Sequence, residues 1–494
     1  MIQTSRPSSF NFLSFFFALI AMSLGAVIAF SVATIEGDWI WLGVIGGFIV
    51  GVGTLLSLEF GLMALVFMTY IRLFNIIEIR GGPSLAFPFM LFLSSLIVFR
   101  WILEQRLNQI WLKTPLMFAL YSLSTFISVL FASDFARAQG DLWAFVKGAS
   151  VAIVVGLLLT RKEAIRGVFW SLLGVGIILG SISVYQFLTS SFTNDFWGFG
   201  VATIQNIVGE TNDYRVSGSL GDPNLFAMVM VVLVPIALER LANEKRFVLR
   251  ALAAYALLVS VLAIIFTYSR GGFLALCVVA GLSLFWRKPP VITVLIVAIL
   301  IVTTIPFLPP SYAARMQTIT DFISPSEVSL KSEVSFRGRV SELGVAWMML
   351  RDHPITGVGA GNYNTEYLDY SRQLGWDPRN EERGAHNLYL EVAAEQGLIG
   401  LSVLVYILYS LLMGLYSAAH RFRTSNQTLY GDMAIAMLVG MVGYLSASLF
   451  IHNVFPYYLW MLIGISMAIV QIAELDYQEY LTGATSIISQ ENVA

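Results

Sequence analysis

Charged residues are scarce in this sequence. Asp, Glu, Lys and Arg make up 12% of the 494 residues, about half of the share found in soluble domains. Apolar residues make up 57%, and many of them form blocks close to the length of about 20 residues that a helix needs to cross a bilayer. The composition therefore excludes a soluble globular protein and indicates a polytopic membrane protein.

Cysteine and histidine are also rare. The single cysteine, Cys277, cannot form a disulfide within the chain. Four histidines without a cysteine–histidine cluster predict no structural metal site and no bound cofactor. Glu36 and Asp38, in the first outward loop, could ligate a divalent cation, although short acidic turns are common. The net charge of −2 argues against a nucleic-acid partner.

The apolar blocks predict an all-α membrane protein with about 12–14 transmembrane helices. Lys and Arg concentrate in alternate connections, such as those at 161–166, 240–250 and 421–423. Since cytoplasmic loops are rich in these residues, both termini are predicted to be cytoplasmic. The fourteen candidate segments lie near residues 11–33, 39–57, 60–77, 85–103, 115–132, 143–160, 167–189, 224–240, 250–268, 272–286, 291–308, 398–418, 431–451 and 455–473.

Two outward segments are long, from about residue 190 to 223 and from about residue 309 to 397. The second holds much of the polarity of the chain, so the chemistry is expected on this extracytoplasmic face. Residues 341–350 have the apolar spacing of a helix and predict an amphipathic helix on the outer membrane surface. We therefore expect short amphipathic helices in a large extracytoplasmic loop.

Three polar residues beside predicted spans could carry chemistry. Arg270, at the outer end of the ninth span, opposes the positive-inside bias and suggests a functional site; alternatively, its side chain only reaches the membrane surface. Arg215 lies in a run of glycines and serines that suits a phosphate group, or that forms an ordinary capped loop. His386 could act as a general base at neutral pH, or it or Asn387 could cap the helix that follows.

Taken in order, several motifs resemble the O-antigen ligase and O-antigen polymerase superfamily of bacterial polytopic membrane glycosyltransferases. The resemblance covers roughly residues 200–475 and rests on the ordered set. The motifs are the run from Arg215 to Asn224, Tyr-Ser-Arg-Gly-Gly around Arg270, Arg339 followed by Ala-Trp at 346–347, a Pro- and Gly-rich turn from His353, and Ala-His-Asn-Leu-Tyr-Leu-Glu around His386.

The resemblance implies metal-independent, inverting glycan transfer on the outer face of the bacterial inner membrane. The donor in this family is a glycan attached through pyrophosphate to undecaprenol, and membrane lipid surrounds the site. The acceptor hydroxyl belongs to lipid A-core, to a growing glycan or to a protein. The resemblance also implies the residue roles: His386 as catalytic base, Arg215, Arg270 and Arg339 or Arg337 as pyrophosphate ligands, and Asn387, Tyr268 and Asn224 as supporting residues.

The apolar blocks and the resemblance together predict three regions. Residues 1–190 form N-terminal transmembrane helices, residues 191–475 form the catalytic region with the loop 309–397, and residues 476–494 form a cytoplasmic tail. An O-antigen ligase, a polysaccharide polymerase and a protein O-glycosyltransferase share the donor chemistry and stay open as alternatives. A transporter of small anions such as bicarbonate is a further alternative, but the sequence shows no clear inverted repeat or mid-membrane charge.

Overall fold

A computed structural model describes residues 40–104, 113–208, 211–287, 334–376, 381–451 and 457–491, together with Tyr312, Arg315 and Gln317. The described residues are mostly helical, which confirms the predicted all-α class. The chain divides into two compact units, Met1–Arg106 and Leu107–Ala494. The predicted segments 11–33 and 291–308, and the acidic residues Glu36 and Asp38, lie outside the described residues.

The described part of the first unit contains α1 (Ile40–Leu56), α2 (Leu58–Tyr70), α3 (Leu73–Ile79) and α4 (Ala86–Glu104). The helices α2 and α3 together are long and apolar enough for one span, but they are bent by 54°. The bend falls at Arg72, whose φ of 64° is incompatible with a continuous right-handed helix. The predicted segment 60–77 is therefore a broken helix.

The second unit consists of helices and one β-hairpin. Its described elements are α5 (Lys113–Val129), α6 (Phe135–Leu158), α7 (Lys162–Leu188), β1 (Val201–Val208), β2 (Thr211–Gly218), α8 (Pro223–Asn243), α9 (Phe247–Phe266), α10 (Arg270–Arg287), α11 (Val334–Asp352), α12 (Tyr363–Leu374), α13 (Leu388–Thr424), α14 (Thr428–Ala447) and α15 (Tyr457–Glu491).

Seven described helices, α6 to α9 and α13 to α15, are long and apolar enough to cross a membrane. Shorter apolar helices lie within α1, α4, α5 and α10. Every predicted segment inside the described ranges coincides with one of these helices or with the broken pair α2 and α3. The hydrophobic blocks thus predicted the positions of these apolar helices, because a helix in lipid must satisfy its backbone groups internally and cover itself with apolar side chains.

Two spanning helices extend beyond their predicted apolar segments. The helix α13 begins at Leu388, ten residues before the predicted start, and is kinked at Gly397, where φ is 64° and ψ is −165°. The helix α15 continues to Glu491, through most of the predicted tail. The hydropathy pattern identifies only the part of a helix that lies in lipid. It therefore does not predict the polar extensions of the same helix.

The β-hairpin was not predicted. The strands β1 and β2 pair antiparallel, with Thr203 opposite Arg215, in the outward segment that the sequence analysis treated as a loop. The hairpin lies at the end of the second unit where α7 and α9 end and where α8 and α10 begin. We call this end the hairpin end.

The long polar segment also contains regular structure. The helix α11 includes the predicted amphipathic stretch 341–350 and buries Val345, Ala346 and Met349 against α12 and neighbouring residues, while Trp347 is exposed. The turn after His353 packs on the first part of α13, because the backbone N–H groups of Val358 and Gly359 donate to the carbonyls of residues 394 and 395. These contacts fix the polar segment to the hairpin end.

Candidate active site

Arg215 is held inside the hairpin end by β2. Its side chain is only 3% exposed. Its Nε donates to the carbonyl of Thr267 (2.7 Å), its Nη1 to Oε1 of Gln205 (2.8 Å) and its Nη2 to Oδ1 of Asn224 (3.1 Å). A buried guanidinium needs such acceptors, because burying an unsatisfied charged group is costly. The three hydrogen bonds therefore fix the guanidinium in one position.

Other cations surround Arg215. The pKa of Arg215 is lowered to about 10, mainly by burial and further by the positive charges of Arg339 and Arg270, against an opposing contribution from Asp222. The guanidinium is still charged near neutral pH. The positive charges of Arg215, Arg270 and Arg339 thus lie close together in a largely buried part of the hairpin end. They belong to one strand and two different helices.

The turn between α9 and α10 positions the second arginine. Arg270 is the first residue of α10 and is 4% exposed. Tyr268, two residues earlier, has a φ of 53°, an uncommon left-handed conformation for a bulky residue. The hydroxyl of Ser269 donates to Oδ1 of Asn224 (2.8 Å). Asn224 therefore ties Arg215 to the turn that carries Arg270, which gives this predicted supporting residue a physical role.

Arg315 is a further cation that the sequence analysis did not identify. Its Nε donates to the carbonyl of Tyr268 (2.6 Å), and its side chain is 4% exposed. The ring of Tyr312, one helical turn away, packs against that of Tyr268 with 5.7 Å between centroids. Arg215 and Arg315 thus bind the carbonyls of consecutive residues, Thr267 and Tyr268. We call Arg215, Arg270, Arg315 and Arg339 the arginine cluster.

His386 faces a buried carboxylate. Its Nδ1 lies 2.9 Å from Oε2 of Glu342 and 3.1 Å from the carbonyl oxygen of Gly384. Glu342 belongs to α11 and is 1% exposed, whereas the His386 side chain is 30% exposed. His386 has a φ of 48°, and such strain is often found at functional sites. The histidine is thus oriented from one side and accessible from the other.

The neighbours of Nδ1 indicate the tautomer of the neutral His386 ring. A carbonyl oxygen can only accept a hydrogen bond, and an ionised carboxylate can only accept one as well. Since Nδ1 faces both groups, we assign the proton of the neutral imidazole to Nδ1. Nε2 then carries the free lone pair that a general base requires.

Arg383 also contacts Glu342. Its Nη1 lies 3.4 Å from Oε1 of Glu342, and its Nη2 lies 2.6 Å from Oε1 of Glu381. Although burial lowers the pKa of Arg383, the hydrogen bond to Glu381 and the charge of Glu342 raise it above its ordinary value. Arg383 thus compensates part of the charge of the buried Glu342 carboxylate.

The helix α11 connects the His386–Glu342 pair to the arginine cluster. Arg339 lies three residues before Glu342, so the two side chains leave neighbouring positions on one face of the helix. The charge of Arg339 is also close enough to lower the pKa of Arg215. Arg337 lies about 200° around the helix from Arg339. The geometry therefore favours Arg339 over Arg337 as the third predicted pyrophosphate ligand.

The end of α14 contacts both parts of the site. The backbone N–H of Leu388 donates to the carbonyl of Ser448 (2.9 Å), and Nδ2 of Asn387 donates to the carbonyl of Leu449 (3.1 Å). Phe450 packs so closely on Gly271 that a Cβ there would lie 2.7 Å from the Cβ of Phe450. The same short segment thus joins the neighbour of His386 to the neighbour of Arg270.

Asn387 caps a helix. Its Oδ1 accepts hydrogen bonds from the backbone N–H groups of Tyr389 and Leu390, both at 3.0 Å, which satisfies two donors at the start of α13. Asn387 therefore supports the site by fixing the start of α13 beside His386. Capping, which the sequence analysis gave to either Asn387 or His386, belongs to Asn387.

Three residues of the site were not predicted from the sequence: Glu342, Arg315 and Arg383. Glu342 lies inside the stretch 341–350, whose apolar spacing drew attention to its hydrophobic residues. A charged residue on the apolar side of an amphipathic helix is a signal that could have identified it, because buried carboxylates need partners. Arg315 and Arg383 are ordinary loop residues in the sequence, and only the fold brings them to the site.

The fold and the site define a polytopic membrane protein in which a largely buried arginine cluster lies near a histidine–carboxylate pair. Residues 255–405 match the family described as O-antigen ligase, and this range contains Arg270, Arg339, Glu342 and His386. An O-antigen ligase of Salmonella typhimurium is 32% identical over 83 residues, which cover 16% of this chain and 20% of that relative. These matches confirm the predicted resemblance to the O-antigen ligase superfamily. They support glycan transfer of the O-antigen type.

Proposed function

We propose that this protein transfers a glycan from an undecaprenyl-pyrophosphate donor to an acceptor hydroxyl at the extracytoplasmic end of its helices, as an O-antigen ligase does. The observation that carries the proposal is the arrangement of His386, oriented by Glu342 at 2.9 Å, with a cluster of buried arginines on the adjoining elements. A base and preorganised cations are what the displacement of a pyrophosphate requires.

The arginine cluster suits a doubly charged leaving group. Like charges held together repel one another, and the lowered pKa of Arg215 records that repulsion together with its burial. An anion bound among the guanidiniums relieves this repulsion. As the bond between the sugar C1 and the pyrophosphate oxygen breaks, negative charge grows on the leaving group. Cations already aimed at this charge are worth several kcal/mol of transition-state stabilisation.

His386 supplies the other half of the reaction. The acceptor oxygen attacks C1, the C1–O bond to the pyrophosphate breaks with its electron pair, and the hydroxyl proton passes to Nε2 of His386. Glu342 stabilises the imidazolium that results. A single displacement of this kind inverts the configuration at C1. Because the arginines provide the positive charge, the proposed transfer does not depend on a metal ion.

The identity of the acceptor is tested by incubating the purified protein in lipid with an undecaprenyl-pyrophosphate oligosaccharide and a candidate acceptor. A new band that forms only with lipid A-core supports a ligase, and a ladder from donor alone identifies a polymerase instead. A labelled serine- or threonine-containing acceptor protein identifies a protein O-glycosyltransferase. Absence of transfer to any of these acceptors, in a protein that binds the donor, would overturn the proposed reaction.

A further inference from the structure

A cavity of about 230 Å³ lies at the end of the second unit opposite the hairpin end. Part of its wall is apolar and consists of Pro235, Ala242, Ile435, Ala436 and Val439. These residues belong to α8 and α14. The helix α10 closes another side with Ser283 and Trp286, and Arg423 near the end of α13 completes the lining. The cavity thus lies between spanning helices, far along α8 from the candidate active site.

A pair of opposite charges lines the cavity. Nη2 of Arg423 lies 2.9 Å from Oδ1 of Asp432, and the two side chains are 45% and 40% exposed. Nδ2 of Asn243, which also lines the cavity, lies 3.4 Å from the other carboxylate oxygen of Asp432. Such exposed ion pairs contribute little to stability, so each partner can exchange part of this contact for a ligand.

Ser283 offers a further polar group. Its side chain is 7% exposed, and its Oγ has no hydrogen-bond partner among the described residues. A buried hydroxyl without a partner is unfavourable. Because Ser283 lines the cavity, a ligand with a hydrogen-bonding group can satisfy this hydroxyl. The lining therefore combines an unsatisfied hydroxyl, a cation, an anion and an apolar wall.

Four charged residues near the cavity are paired with one another. Beside Asn243, Arg240 binds Glu239 (2.5 Å) and Glu244 (3.0 Å), and Arg166 binds Glu244 (2.5 Å). These two cations and two anions are occupied with one another, so they do not favour a ligand of either net charge. Arg423 and Asp432 are the charged residues that line the cavity itself.

We propose that this cavity binds the headgroup of a zwitterionic phospholipid that carries a primary ammonium. The ammonium lies at Asp432, the phosphate lies at Arg423, and the glycerol end contacts Ser283 and the apolar wall. An anionic lipid would place its charge near Asp432 without an ammonium to compensate. The volume is below the about 300 Å³ of typical drug-sized sites, so it holds a headgroup while the acyl chains stay in the bilayer.

The test uses full-length protein purified in detergent and stripped of lipid. Native mass spectrometry compares the binding of phosphatidylethanolamine, phosphatidylcholine and phosphatidylglycerol of equal chain length, with free phosphoethanolamine and inorganic phosphate as separate arms. The variants are Ser283→Leu, which fills the cavity, and the double variant Arg423→Gln with Asp432→Asn, which removes both charges together. Arg421→Gln is the control, because Arg421 pairs with Glu474 and does not line the cavity.

Phosphatidylethanolamine should bind the wild type about tenfold more tightly than either other lipid, which corresponds to about 1.4 kcal/mol. Both sets of cavity substitutions should remove this preference, and the control should keep it. Equal binding of the three lipids would overturn the proposal. So would binding of inorganic phosphate that competes with the lipid as strongly as phosphoethanolamine does, since the site would then recognise any phosphate. Neither result would affect the glycan-transfer proposal, which concerns the opposite end.

Discussion

Glu342→Gln should lower kcat strongly while leaving KM nearly unchanged. Glu342 is 1% exposed and holds Oε2 at 2.9 Å from Nδ1 of His386. Glutamine keeps the size of the side chain but removes the charge that stabilises the imidazolium. Because this charge matters only once His386 has taken the proton, the loss should fall on the transition state.

The magnitude follows from the distance. Two unit charges whose centres are about 4 Å apart attract each other by about 4 kcal/mol at an effective dielectric constant near 20. Residual hydrogen bonding by the glutamine oxygen retains part of this stabilisation. A net loss of about 3 kcal/mol corresponds to a decrease of about 100-fold in kcat. This lies within the range of about 10² to 10⁴ that a general base contributes.

The assay measures initial rates at several donor and acceptor concentrations, so that kcat and KM are separated. Glu381→Gln is the matched control, because Glu381 also binds Arg383 but is exposed. The variant His386→Ala and the double variant with Glu342→Gln complete the set. If the two residues act as a unit, the double variant should be no slower than His386→Ala alone.

Three results would refute this reasoning. One is a kcat for Glu342→Gln within threefold of the wild type. Another is an equal loss in Glu381→Gln, which would mean that Arg383 rather than the carboxylate determines the rate. A third is full additivity of the two substitutions in the double variant, since independent residues cannot form one catalytic pair.

Other changes separate binding, catalysis and stability. His386→Ala should lower turnover by about 10²- to 10⁴-fold but keep donor binding, measured by isothermal titration, whereas Arg270→Ala should weaken both; near-normal turnover in His386→Ala would exclude it as the base. Chelation by EDTA should leave the rate of transfer within twofold, and a loss restored by Mg²⁺ would contradict the proposed role of the arginines. Gly397→Ala should reduce stability by about 2 kcal/mol or more, measured by thermal unfolding, since its dihedral angles are essentially limited to glycine and an added Cβ would clash with the carbonyl of Ile355. Gly281→Ala, where a Cβ meets nothing within 4 Å, should leave stability nearly unchanged.

The sequence predicted the spanning helices well because the bilayer imposes a length and a composition on each of them. It predicted the polar segment less well. The hairpin carrying Arg215 combines short strands with polar residues, so no hydrophobic period distinguishes it from a loop. The bend at Arg72 and the kink at Gly397 each depend on the backbone conformation of one residue. The hydropathy pattern does not reveal backbone conformations.

The site residues also differ in whether the sequence alone could identify them. Arg270 and His386 could be identified because each is a polar residue next to an apolar block. Polar residues in such positions are costly and often functional. Arg315 could not be identified, and Glu342 could be identified only as a carboxylate on an apolar helix face, because the roles of both depend on partners distant in sequence. The partner of Glu342 is 44 positions later in the chain, and Arg315 binds the carbonyl of Tyr268. The pair of His386 and Glu342 forms only when α11 packs against the residues that precede α13.

The arginine cluster shows why such a site needs the whole second unit. Its members come from β2, from the start of α10, from residue 315 and from α11, and their mutual repulsion opposes the packing of these elements. The carbonyls of Thr267 and Tyr268 offset part of that repulsion by accepting hydrogen bonds from Arg215 and Arg315. The fold thus holds the cations in place before an anion arrives. In the proposed reaction the guanidiniums would then need little reorganisation, and such preorganised charge stabilises a transition state.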